Sequence, residues 1–215
     1  MPGLALSPTL AKVDLSTAGG PSDATVVIVG LPKKNVGIVF GQRTAQWLQR
    51  YNTYLLNTDN IVINPQALWD APSDNGRFLI SQIVPPGAAE DPSVLCMGPY
   101  TEDRNIAVYC SHKKAGSGSF VESDTKHSFH EFKIGSKTAI AFTMVNAEDG
   151  GDSDYHDTVV GVAVASLSIN NGDYKTLLAD FSSSSTSRRA SNIGPSSSGV
   201  NVIFSDPKKD GTTYC

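Results

Sequence analysis

The chain has 215 residues, 40% of them hydrophobic and 18% charged, with a net charge of −4. That is apolar content for one sizeable core in a single domain, 1–215, and the acidic balance leaves no basic footprint for nucleic acid. No run is long enough to span a membrane, and the abundance of Ser, Thr, Gly and Asn fits many strands joined by turns.

Residues 1–20 read as an N-terminal arm. No charged segment there leads into a long apolar stretch, so no cleavable signal is expected. The localisation expected is cytoplasmic, or release without a cleavable signal. Strand candidates follow at 24–30, 36–40, 61–64, 77–84, 94–97 and 106–110, rich in β-branched residues. Turn chemistry separates them at Leu31-Pro32-Lys33-Lys34-Asn35 and Pro85-Pro86-Gly87. One helix is expected at 44–56, because Trp47, Leu48, Tyr51, Tyr54 and Leu55 fall on one helical face. Its aromatic stripe packs on a sheet or serves as a platform for stacking sugars.

Three cysteines, Cys96, Cys110 and Cys215, give no disulfide framework. Cys96 and Cys110 either pair or stay as buried free thiols. Residues 111–123 are rich in Gly, Ser and Lys and read as a mobile loop. His127 and His130 invite zinc, with His112 or His156. In a strand, however, residues three apart point to opposite faces. Strands are expected again at 131–134, 138–145 and 158–165. In the last, Val160, Val162 and Val164 share one face.

Between the last two lies Glu148-Asp149-Gly150-Gly151-Asp152-Ser153-Asp154-Tyr155-His156-Asp157, with five carboxylates in ten residues. No Lys or Arg occurs from Thr138 to Tyr174. Carboxylates about 4 Å apart repel by roughly 1 kcal/mol per pair even in bulk water. Two apolar strands bracket the turn, so the charge is held in place. Gathering the oxygens around a hard cation relieves it, and Ca²⁺ takes six to eight oxygen ligands in flexible geometry. Beyond it, 174–181 reads as a strand. Residues 182–198 hold nine serines in seventeen residues and read as a flexible loop. Residues 200–204 read as a last strand.

The run 148–160, EDGGDSDYHDTVV, resembles the calcium loop of the bacterial calcium-mediated lectins that bind fucose and mannose. That resemblance implies a small β-sandwich in which Ca²⁺ ions bind sugar hydroxyls directly. Carried over by position, Glu148, Asp152, Asp154 and Asp157 would ligate Ca²⁺. His156 stands where the family has an amide-oxygen ligand. Asp149, with Ser153 beside it, would hydrogen-bond the sugar. In those lectins the chain ends a few residues after the loop, whereas 58 residues follow Asp157 here.

No catalytic constellation stands out. Glu148 and Asp154 could be drawn as a glycosidase pair, but carboxylates committed to Ca²⁺ are poor general acids. The expectation is a non-enzymatic, all-β antiparallel sandwich with one short helix and a Ser-rich flexible loop. It would bind carbohydrate through Ca²⁺, as a monomer or homo-oligomer, with no nucleic-acid partner. The alternative is a structural or assembly protein in which Ca²⁺ only pins the loop.

Overall fold

The computed structural model describes residues 6–72, 75–134, 136–150 and 154–166. All of these fall in the unit Met1–Ser168. The strands expected at 174–181 and 200–204, the Ser-rich 182–198 segment and Cys215 lie outside the described residues.

Thirteen strands are described: β1 Thr9–Val13, β2 Ala24–Leu31, β3 Asn35–Arg43, β4 Leu48–Leu56, β5 Val62–Asp70, β6 Gly76–Arg77, β7 Leu79–Val84, β8 Leu95–Met97, β9 Arg104–Lys113, β10 Val121–Glu122, β11 Asp124–Ile134, β12 Lys137–Glu148 and β13 Thr158–Ser166. They form two antiparallel sheets. The first runs β1-β2-β9-β4-β5-β7, with β10 on β9. The second runs β11-β12-β13-β3-β6, with β8 on β3.

The sheets bury one main core between them. Val27, Val29, Ile106, Val108, Tyr51 and Trp69 come from the first sheet, and Val39, Val145, Val160 and Val162 from the second. Strand alternation delivers this, since residues two apart share a face. Val160, Val162 and Val164 are buried together, as their spacing predicts. Tyr51 stacks on Trp69 at 5.0 Å and meets Phe78 edge-on at 4.8 Å. Gly41 leaves room for this group, because a Cβ there would lie 2.8 Å from the Tyr51 ring. A second apolar cluster covers the outer face of the first sheet, where Val13 and Leu15 pack on Val26, Ile28, Tyr54 and Leu56.

The helix expected at 44–56 is absent; that stretch is a bend followed by β4. The strand splits the expected helical face: Gln49, Tyr51, Thr53 and Leu55 point inward, while Tyr54 packs on the outer face of the sheet. Tyr and Thr favour the pleated surface, and β4 bonds to β5 and β9 on its two sides. The buried Arg43 guanidinium also donates to the carbonyls of Ala45, Gln46 and Ala71. Two of those carbonyls belong to what would have been the first helical turn. The described residues contain a single 3₁₀ turn, Ser16–Ala18, and no helix long and apolar enough to cross a membrane.

Three smaller expectations are corrected. Part of the N-terminal arm is strand β1, paired with β2. The stretch 111–123 is not all loop, because Ser111–Lys113 extend β9 and Val121–Glu122 form β10. Cys96 and Cys110 are both free thiols, but only Cys110 is buried.

Candidate metal and ligand site

β12 ends at Glu148 and β13 begins at Thr158, so the acidic turn closes one hairpin of the second sheet. Its backbone folds onto its own carboxylates. Gly150 N–H donates to Glu148 Oε1 at 2.9 Å, and Tyr155 N–H donates to Glu148 Oε2 at 3.0 Å. Asp149 N–H donates to Asp157 Oδ2 at 2.8 Å. Gly150 takes φ +92°, a left-handed conformation open to glycine at no steric cost. Tyr155 is also left-handed, at φ +57°, and its hydroxyl donates to Asp124 Oδ2.

These folds bring Glu148, Asp149 and Asp157 together, with one oxygen from each lying within 4.8 Å of the others. Glu148 and Asp149 are buried, at 4% and 7% exposure. Burial pushes the Asp157 carboxyl up to about 6, and the Asp149 and Glu148 charges push the same way. The hydrogen bond from the Asp149 backbone opposes them. Crowded carboxylates in a partly dry place disfavour their own ionisation. A cation of two charges would remove that penalty.

The first sheet reaches into this site. Gln49, on β4 and buried, donates from Nε2 to Asp149 Oδ2 at 2.9 Å and accepts from Thr158 Oγ1 at 3.2 Å. One side chain therefore ties the acidic turn to both sheets. Thr44, in the bend before β4, donates its N–H to the Asp157 carbonyl at 3.1 Å and its hydroxyl to the His156 carbonyl. His112 stands opposite Gln49 in the β4–β9 ladder. It is buried, bonds Ser123 through Nδ1 at 3.0 Å and stacks on Trp47. Burial pulls its pKa down, so it is neutral at pH 7 and does not neutralise the carboxylates.

Of the residues that the sequence nominates for the ion, Glu148 and Asp157 converge. Asp154 and His156 form an exposed pair instead: His156 N–H donates to Asp154 Oδ1 at 2.9 Å, and its Nδ1 lies 3.6 Å from Asp154 Oδ2. Asp149, nominated for the ligand, joins Glu148 and Asp157. Asp152 and Ser153 lie outside the described residues. Gln49 and Thr44 went unnoticed in the sequence because both fell within the expected helix. Only the β4 pairing brings them to the turn. His127 and His130 sit exposed on the edge strand β11. Among the described residues they join no cluster of three metal-ligating side chains.

No family model matches the chain, and no curated protein matches it. Solved structures do. One is a Chromobacterium violaceum lectin in complex with alpha-methyl-fucoside, 16% identical over 63% of this chain and 93% of that one, at TM-score 0.40. Another is the high-affinity mannose-binding lectin of Ralstonia solanacearum, 17% identical over 63% and 93%, at TM-score 0.38. A third is the C-terminal domain of a Burkholderia cenocepacia lectin, 15% identical over 63% and 92%, at TM-score 0.39. They are bacterial lectins, the class that the acidic loop resembles. Likeness at this level decides no ligand for the present chain.

Proposed function

We propose that this protein is a non-enzymatic, calcium-dependent carbohydrate-binding protein. The observation that carries the reading is the convergence of Glu148, Asp149 and Asp157 at a hairpin end. Carboxylate oxygens suit a hard cation such as Ca²⁺ better than a soft one. In this reading Glu148 and Asp157 hold the ion together with Asp152 and Asp154, and His156 occupies the remaining carried-over ligand position. Asp149 and Ser153 face the sugar. The bound ion would supply coordination positions that two neighbouring sugar hydroxyls can fill in place of water. Gln49 engages one Asp149 oxygen and the Asp157 carboxyl lies against the same side chain, so a sugar hydroxyl would share that carboxylate with both. Charge-assisted hydrogen bonds of that kind are roughly twice as strong as neutral ones.

A glycan array probed with and without EDTA tests this. Fucose- or mannose-type glycans should retain the protein in Ca²⁺ and release it in EDTA. Retention unaffected by EDTA would refute the role given to the ion.

A second reading is favoured by one observation, the burial of Glu148 and Asp149. A Ca²⁺ enclosed by such residues would pin the turn without meeting a ligand, as suits a structural or assembly protein. In that case Ca²⁺ would raise the melting temperature and no glycan on the array would be retained.

A further inference from the structure

The outer face of the first sheet carries a cavity of about 430 Å³, and none of its lining residues belongs to the acidic turn. Small-molecule sites typically enclose roughly 300–1,000 Å³. The floor is laid out by strand register. Tyr109, Asn52, Leu68 and Gln82 stand opposite one another on β9, β4, β5 and β7. Four strands at about 4.8 Å spacing make this row about 14 Å long. A parallel row sets Tyr54 beside Gln66 and Val84. The Gly19–Gly20–Pro21 turn and Phe120 complete the walls.

The chemistry of the lining limits what it can hold. Arg50 is closed onto Asp70, with Nε 2.8 Å from Oδ1 and one terminal nitrogen 3.4 Å from Oδ2, and Phe120 lies 4.1 Å from the guanidinium. An anionic ligand would need a cation that Asp70 already occupies. A strand-forming peptide would need a free backbone edge; β9, β4 and β5, which make most of the floor, have neighbours on both sides, so a peptide could add only beyond β7, the edge strand at one end of the row. What remains is amides and hydroxyls. Asn52 and Gln82 each carry an acceptor and two donors, and Gln66, which gives one N–H to Asn64 Oδ1 at 3.3 Å, adds an acceptor and a donor. Burial lifts the Tyr54 and Tyr109 hydroxyls to about 12, so both stay protonated. Leu68 and Val84 place apolar surface between these groups. Alternating amides and apolar patches match a sugar, which shows hydroxyls at its rim and C–H groups on its ring faces.

We propose that this cavity is a second carbohydrate subsite, independent of metal, for a neutral oligosaccharide of more than one ring. It does not depend on the calcium reading of the acidic turn. The test is a titration of the full chain in EDTA with cellotriose, maltotriose and mannotriose, together with a neutral-glycan array in EDTA. At least one neutral glycan should bind. Gln82→Ala and Asn52→Ala should each weaken that binding roughly three- to tenfold, as expected for losing one hydrogen bond. Gln82 is exposed, so its removal leaves the sheet intact, and an unchanged melting temperature verifies this. The proposal is overturned if no neutral glycan is retained in EDTA, or if both variants bind as tightly as the parent. Failure of the calcium reading would register separately, as no added binding when the array is repeated in Ca²⁺.

Discussion

Asp157 shows what the acidic turn costs the fold. Its folded pKa, about 6, lies above the ordinary value of 3.8. Between those values the folded state keeps a proton that the unfolded chain has released. Stability therefore falls as pH rises through that window. Asp157→Asn removes this dependence. In EDTA at pH 7 the variant should be more stable than the parent, and the gap should close near pH 4. Added Ca²⁺ should reverse the order at pH 7, because only the parent holds the ion. Urea denaturation at the two pH values checks all of this, and a variant no more stable than the parent in EDTA would contradict it. The proposed assignment gives Asp154 to the ion and Asp149 to its ligand, although in the structure it is Asp149 that stands beside Glu148 and Asp157. Asp154→Ala should weaken Ca²⁺ binding more than Asp149→Ala in a calorimetric titration. Equal losses would place Asp149 among the ligands of the ion.

At the scale of elements, β4 joins the core to the site. Its inward residues include Tyr51 in the core and Gln49 at the acidic turn. Gln49→Ala leaves Asp149 Oδ2 buried without its donor and should cost roughly 1–3 kcal/mol by urea denaturation. An unchanged midpoint would mean that the sheets are not coupled through this side chain. Gly41→Ala places a Cβ 2.8 Å from the Tyr51 ring, which is stacked on Trp69 and cannot swing away. Overpacking of this kind costs about 1–3 kcal/mol, which a thermal melt will register. The sequence made some elements legible and hid others for physical reasons. β2, β12 and β13 announce themselves because both faces carry apolar or small residues. β4 reads as a helix because Trp47, Leu48, Tyr51, Tyr54 and Leu55 fit a period of 3.6, whereas the strand splits them, with Tyr51 and Leu55 inward and Tyr54 on the outer face. Most of β11 gives no signal: it is a polar edge strand, largely exposed, and becomes a strand by pairing with β12. Of the turn's carboxylates, Glu148, Asp149 and Asp157 were legible as neighbours and converge, whereas Asp154 pairs with His156 instead. Gln49 was not legible, because nothing local in a sequence says that β4 will lie beside β9 and face the end of β12.

At the scale of the molecule, two sheets close over one core, and the acidic turn stands at an end of it where both sheets contribute contacts. A cation held there binds the folded state alone. Ca²⁺ at a hundred times its Kd should therefore stabilise the protein by about 2.7 kcal/mol, seen as a rise in melting temperature that EDTA abolishes. No shift with either would remove the metal from the account. The many strands were legible from apolar runs and turns, and the sandwich from what the loop's resemblance to the lectins implies, while strand order was not legible, since β9 is inserted between β2 and β4 from far along the chain. The central claim is that Ca²⁺ at this turn meets a sugar. A crystal grown in Ca²⁺ and soaked with alpha-methyl-fucoside or alpha-methyl-mannoside tests it most directly. The expected density shows Ca²⁺ against Glu148, Asp152, Asp154 and Asp157, with two sugar hydroxyls on the ion and one reaching Asp149. A Ca²⁺ enclosed wholly by protein oxygens, with no sugar beside it, would contradict the claim and leave an ion that only holds the turn.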